Sequence, residues 1–94
     1  MTTQTKQHRI LSIDAWRDGE DGWYWNDTRL FGYIDASTLK KLKTPRKILR
    51  WMRAEGFLSA QSAGKVCVHE DDAYIEIQSR RDGEPLYAIE LSTD

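Results

Sequence analysis

The fold of this chain is decided by its central stretch, Thr44-Pro-Arg-Lys-Ile-Leu-Arg-Trp-Met-Arg-Ala-Glu-Gly-Phe-Leu58. Threonine is a favoured N-cap, and a proline at the first helical position sacrifices no intrahelical hydrogen bond. Apolar residues recur at helical spacing and form one face, made of Ile48, Leu49 and Met52. Gly56 stands where a left-handed C-terminal cap belongs. The stretch therefore predicts a helix from Pro45 to Glu55 as the main helix of the fold.

Toward the N-terminus, side chains alternate between apolar and polar, as expected of strands. The alternation runs from His8 to Trp16, and aromatic residues restart it from Trp23 to Asn26. Residues 17–22 between them contain two Gly and two Asp, which adopt turn conformations at low cost. These segments predict a β-hairpin.

The hairpin leads into the helical region. Residues 29–34 continue or bend the second strand, with Gly32 as a candidate bulge. Asp35 or Ser37 can then cap a short helix that runs through Leu42.

Beyond the main helix, three further strands are predicted. They cover residues 65–69, 73–79 and 86–91, joined by polar turns. The expected fold is α+β: a single small domain of ββ-α-βββ order, with an antiparallel sheet packed against one main helix at about residues 45–55. We expect residues 1–7 to be a disordered tail and residues 8–94 to form the domain.

Composition narrows the function classes. The chain has 94 residues, a net charge of −1, four Trp and four Tyr, which favours a folded domain over a disordered one. No apolar run approaches the roughly 20 residues that span a bilayer, and the N-terminus lacks the apolar segment of a signal peptide. Because Cys67 is the only cysteine, a disulfide within the chain and a multi-cysteine zinc site are excluded. A cytoplasmic protein without membrane contact is expected.

Charge is distributed unevenly along the chain. The basic helical segment, residues 38–53, carries no acidic residue and seven basic ones: Lys40, Lys41, Lys43, Arg46, Lys47, Arg50 and Arg53. Three of its arginines follow the i, i+4, i+7 spacing of one helix face. Such a face predicts contact with nucleic-acid phosphates. The alternative is a solvated face whose charge is neutralised within the fold by acidic loops.

Tryptophans flank the first turn. Together with Tyr24, these tryptophans, Trp16, Trp23 and Trp25, could form a stacking platform for bases or sugars, with Trp23 and Trp25 as possible contacts. The alternative, which the small number of aliphatic residues favours, is a cross-strand cluster that anchors the hairpin and closes the core. Trp51, beside the apolar face of the helix, is a further possible contact.

Catalytic and metal-binding patterns are weak. Cys67 and His69 lie two apart on a predicted strand and so share a face, but a structural cysteine beside a strand-end histidine explains them more simply. His8 belongs to the other hairpin. No phosphate-binding Gly-rich loop and no zinc-protease motif is present. We therefore expect a protein that is not an enzyme, with no catalytic residue, metal or cofactor.

Two resemblances bear on function. Residues 36–80, a basic helix followed by a strand pair, resemble the end of a winged-helix module, although the three-helix core of that family is missing. The segments Ser12–Arg17, Gly22–Asn26 and Arg46–Leu58 are similar to small uncharacterised phage-encoded proteins. That resemblance implies an accessory protein that acts by binding inside a bacterial host, and it transfers no site residues.

Two hypotheses follow. The first is a non-enzymatic module that binds DNA or RNA through the basic helical segment. The second is a protein-interaction or inhibitor module that meets a host protein through this segment or through acidic turns at 18–27 and 70–72, which could mimic phosphates. A homodimer is a further possibility if the strand at 86–91 lies at the margin of the sheet.

Overall fold

The computed structural model describes residues 6–19, 22–59, 61 and 64–91. Its elements are β1 (Gln7–Arg17), β2 (Trp23–Asp35), α1 (Ala36–Lys41), α2 (Pro45–Ala54), β3 (Val66–Glu70), β4 (Tyr74–Ser79) and β5 (Pro85–Glu90). The strands form one antiparallel sheet in the order β2-β1-β5-β4-β3. The fold is α+β, as the sequence predicts, but its helical layer consists of two short helices rather than one main helix.

Strand β1 begins inside the segment expected to be a tail. The carbonyl of Lys6 accepts a hydrogen bond from the Ala36 amide at 2.8 Å. The side chain of Gln7 donates to Asp35 Oδ1 at 3.0 Å. Residues 1–5 of the expected tail lie outside the described residues.

Strand β2 runs without a break through residues 27 and 28, which the sequence pattern assigned to no strand. It is 13 residues long and pairs with β1 along its whole length. Two irregularities in register interrupt the pairing, and each leaves one extra residue on β2: Asn26 and Phe31. The predicted irregularity near Gly32 is therefore present one residue earlier, because Gly32 itself pairs with Ile10.

Helix α2 has the two caps that its sequence predicts. The Thr44 hydroxyl accepts a hydrogen bond from the Lys47 amide at 3.3 Å, and Pro45 is the first helical residue. At the other end Gly56 has a φ of 85°, and the Phe57 amide donates to the Met52 carbonyl at 2.8 Å. This second bond belongs to a Schellman motif, which needs a residue in the left-handed region at the glycine position.

Both helices pack on one face of the sheet. The core between the two layers consists of Ile10, Ile34, Ile48, Met52, Leu58, Val66, Ile75, Ile77 and Ile89. Helix α2 buries Ile48 and Met52 there, while α1 contributes only the half-buried Leu39. Since residues at i and i+4 of a helix share a face, the basic side chains of α2 are directed away from this core.

On the opposite face of the sheet, the distal half of the β1–β2 hairpin folds back over the neighbouring strands. Trp25 on β2 donates its Nε1–H to Glu76 Oε1 on β4 at 2.7 Å, and its ring centroid lies 4.9 Å from that of Tyr74. In a flat sheet with this register the residues would be on the order of 20 Å apart. The hairpin must therefore curl across this face, where Leu11 and Ala88 are also buried.

Strand β5 corrects one expectation. The sequence left open a dimer through a sheet margin at residues 86–91, but β5 lies at the centre of the sheet and pairs with both β1 and β4. The exposed edges belong to β2 and β3 instead.

Candidate nucleic-acid interface

The basic helical segment forms one exposed surface over the two helices. Six of its basic side chains are exposed: Lys40, Lys41, Lys43, Arg46, Lys47 and Arg50. Arg53 is half-buried. Within α2, the arginines at 46, 50 and 53 lie on the side of the helix away from Ile48 and Met52, because the spacing of about 3.6 residues per turn places them there.

This surface is not neutralised within the described part of the chain. The one ion pair found there joins Arg9 to Glu90 at 2.7 Å, on the strands. No side chain of the basic helical segment pairs with a carboxylate among the described residues, and neither helix has an acidic residue in its first turn. The expectation that acidic loops compensate the helices therefore has no support in the described contacts.

Beside this surface, a half-open groove of about 700 Å³ lies between α2 and the edge strand β3. Its polar rim includes three arginines: Arg46 and Arg53 from α2, and Arg80 from the end of β4. Its apolar wall includes Leu49, Val66 and Val68. None of the described residues that line the groove carries a carboxylate.

Arg53 is the least exposed cation of the groove. Its Nε atom is buried and has no hydrogen-bond partner among the described residues. An unsatisfied buried donor costs stability, and the cost is larger for a charged group than for a neutral one.

Sequence reasoning missed Arg80. It follows β4 directly and belongs, with Arg81, to the polar turn before β5. Its amide donates to the Lys65 carbonyl at 2.8 Å, which ties this turn to the start of β3 and so brings it beside α2. Only the pairing of β3 with β4 creates this proximity, and no local pattern in the sequence signals it.

The tryptophans do not form the single cluster that the sequence suggested. Trp16 and Tyr24 pair across the hairpin on one face, both exposed, with ring centroids 5.3 Å apart. Trp23 and Trp25 are half-buried on the other face, where Trp23 Nε1 donates to the Asp82 carbonyl at 3.0 Å. The tryptophans lie on two faces because side chains alternate along a strand. Trp16 shares a face with its partner Tyr24, whereas Trp23 and Trp25, on either side of Tyr24, point to the other face.

Trp51 is half-buried at the border of the basic surface. Its ring stacks on Phe57 with centroids 5.6 Å apart. It therefore lies close to the basic side chains of α2 while most of its surface packs within the fold.

Aspartate side chains in the turns accept hydrogen bonds from nearby backbone amides. Asp71 Oδ1 accepts hydrogen bonds from the amides of Ala73 and Tyr74, both at 2.8 Å. These bonds hold the pKa of Asp71 below its usual value. Asp82 Oδ1 likewise accepts from the Glu84 amide at 3.1 Å. Part of the other acidic turn, residues 20 and 21, lies outside the described residues.

The structure brings together no metal or catalytic cluster from the residues that the sequence singled out. Cys67 is half-buried and His69 exposed on β3, while His8 on β1 bonds to the Glu90 carbonyl at 2.8 Å. His8 lies on the helix-covered face and His69 on the opposite face, as the strand register requires. Among the described residues no three His, Cys, Asp or Glu side chains are placed to share a metal ion.

Comparison of the chain with protein-family models, with curated proteins and with solved structures gives no match. In the described part of the chain, no helix has the length and apolar character needed to cross a membrane.

Proposed function

We propose that this protein binds nucleic acid through the basic helical segment, by contact with phosphates. The observation that carries the proposal is the exposed surface over α1 and α2, where six basic side chains have no acidic partner among the described residues. Like charges at this spacing repel one another and destabilise a helix. Phosphates relieve the repulsion, and release of their counterions adds to the affinity.

The chemistry of the surface fits phosphates better than a hydrophobic protein partner. The outward side of α2 presents guanidinium groups, which donate two parallel hydrogen bonds to phosphate oxygens. The large apolar side chains of this helix are buried or half-buried against the core. Contact through charge alone predicts binding that depends little on sequence and strongly on salt.

A decisive experiment compares two triple variants of equal charge. In the first, Lys40, Lys47 and Arg50 become glutamine; all three are exposed and none lines the groove beside α2. We expect affinity for labelled single- and double-stranded DNA and RNA, measured by fluorescence anisotropy, to fall by about tenfold or more at low salt. The slope of log affinity against log salt should become shallower by about 2 to 3, the value expected for three lost phosphate contacts.

The control removes three exposed cations from elsewhere, with Lys6, Arg29 and Arg81 changed to glutamine. This variant should keep its affinity within about threefold and retain the salt slope of the unchanged protein. An equal loss in both variants would mean that net charge alone, and not this surface, governs the interaction. No binding of any of the four probes at low salt would refute the proposal.

A further inference from the structure

The groove between α2 and β3 differs in chemistry from the exposed surface beside it. Its described cations, Arg46, Arg53 and Arg80, come from two separate parts of the chain and line one half-open space of about 700 Å³. Because no carboxylate from the described part of the chain lines it, the groove concentrates positive charge. The start of α2 contributes in the same direction, because the N-terminal end of a helix carries partial positive charge and this one has no acidic residue in its first turn.

We propose that this groove binds a phosphate monoester, with the three arginines around the phosphate and the organic group against Leu49 and Val68. The inference deepens the proposed function, since a terminal phosphate of a bound strand is one source of such a group; a free nucleotide is the other. Arg53 lines the groove, and its Nε has no acceptor among the described residues.

Charge and shape favour a monoester over an internal phosphodiester. A monoester carries close to two negative charges on three terminal oxygens, whereas a diester carries one charge on two. Three guanidinium groups carry three positive charges and several paired donors, so they attract a monoester, with its greater charge and its third terminal oxygen, more strongly than a diester. The half-buried position of Arg53 in this groove also suits a terminal group, because an internal phosphate would bring the strand on both of its sides into the groove.

The groove has room for more than phosphate. Leu49 is half-buried on α2, and Val66 and Val68 share a face of the edge strand β3. An apolar or flat organic group can pack against the partly exposed Leu49 and Val68 and remove their apolar surface from water. The proposed ligand class is therefore a nucleotide or a nucleotide end, not inorganic phosphate alone.

The test uses two neighbouring arginines as a matched pair. Arg80 and Arg81 are both exposed and adjacent, but only Arg80 lines the groove. Binding of a nucleoside 5′-monophosphate, measured by calorimetry, should weaken by about tenfold or more in Arg80→Gln and by less than about twofold in Arg81→Gln. Equal effects of the two substitutions would overturn the proposal, because the ligand would then respond only to general charge.

A spectroscopic readout reports on the groove directly. The Nε–Hε resonance of Arg53, assigned by its loss in Arg53→Lys, should move during titration with the monophosphate and stay in place with the nucleoside that lacks phosphate. A resonance that does not move while the monophosphate binds would place the ligand elsewhere and refute the inference.

Oligonucleotides separate the two sources and the two proposals. A short strand with a 5′-phosphate should bind more tightly than the same strand with a 5′-hydroxyl if strand ends occupy the groove, and the difference should vanish in Arg80→Gln. If the monophosphate binds and this difference is absent, the ligand is the free nucleotide. If the protein binds strands but recognises neither the nucleotide nor the phosphorylated strand end, the proposed groove ligand is refuted and the proposed function stands. If the protein binds the nucleotide but no strand, the proposed function is refuted and the groove ligand stands.

Discussion

At the scale of single residues, close packing places a strict demand on Gly32. Across from it, the Phe57 ring is held between neighbours, with centroids 5.6 Å from Trp51 and 5.3 Å from Phe31. A Cβ atom added at Gly32 would lie 2.6 Å from Phe57 Cε1. Because the Phe57 ring contacts two aromatic neighbours, moving it aside to admit a Cβ atom at Gly32 would disturb both contacts.

We therefore expect Gly32→Ala to lower the free energy of unfolding by about 1–3 kcal/mol, the usual cost of overpacking. Urea unfolding followed by tryptophan fluorescence measures it. The cost should shrink when the same substitution is made together with Phe57→Leu, because the smaller side chain leaves room. Strictly additive losses in the double variant would contradict the clash.

Asp71 gives a second prediction at this scale. Its folded-state pKa lies below the ordinary value of 3.8, chiefly because the amides of Tyr74 and Ala73 bond to the ionised carboxylate. The carboxylate thus contributes stability above that pH and loses the contribution as pH falls through its folded pKa. Asp71→Ala should lower Tm at neutral pH, and the difference from the unchanged protein should diminish as the pH is taken below about 4.

The control is Asp72→Ala, which removes the same charge from the neighbouring exposed position. Its Tm difference should be smaller at neutral pH. A pH-independent difference for Asp71→Ala would show that the two backbone hydrogen bonds do not favour the ionised form.

At the scale of elements, the curled hairpin depends on contacts made far from its own ladder. Trp25 reaches Glu76 and Tyr74 across two intervening strands. Gln78 donates to the other oxygen of the same Glu76 carboxylate, so this group is held from two sides. The extra residue Asn26 lies next to Trp25, at a bulge that sharpens the local bend.

Replacing Trp25 with phenylalanine keeps an aromatic ring and removes the Nε1–H donor. We expect a loss of about 1.5–3 kcal/mol in the free energy of unfolding, the range for a hydrogen bond to a charged group. Trp16→Phe, at an exposed position of the same hairpin, should cost no more than about 0.5 kcal/mol. Comparable losses in both variants would mean that the hairpin is not fastened through Trp25.

The local elements were predictable because their signals are local. The Thr44 cap, the Pro45 start and the Gly56 cap of α2 each follow from a residue's own backbone preference. Strand alternation likewise identified β1 and the region of β2. The curl of the hairpin was not predictable, because it rests on Trp25 meeting residues about 50 positions away.

At the scale of the whole molecule, the fold brings together basic residues that are far apart in the sequence. The sequence indicated the basic helical segment, and the structure places both of its helices on one face of the sheet. It did not indicate that Arg80 joins Arg46 and Arg53 at a groove, because strand order alone brings them together. The candidate site was thus predictable where it lies on one helix and unpredictable where it bridges separate segments.

The central position of β5 also has a consequence for how the protein is made. The β1–β2 and β3–β4 hairpins are joined within the sheet only through this strand, which comes last in the order of synthesis. While a ribosome is still producing the chain, each hairpin can form, but the two have no shared ladder until β5 has emerged. The sheet can therefore be completed only after β5 has been synthesised, and β5 then pairs with a strand more than 70 residues earlier in the chain, a long-range pairing of the kind that slows folding.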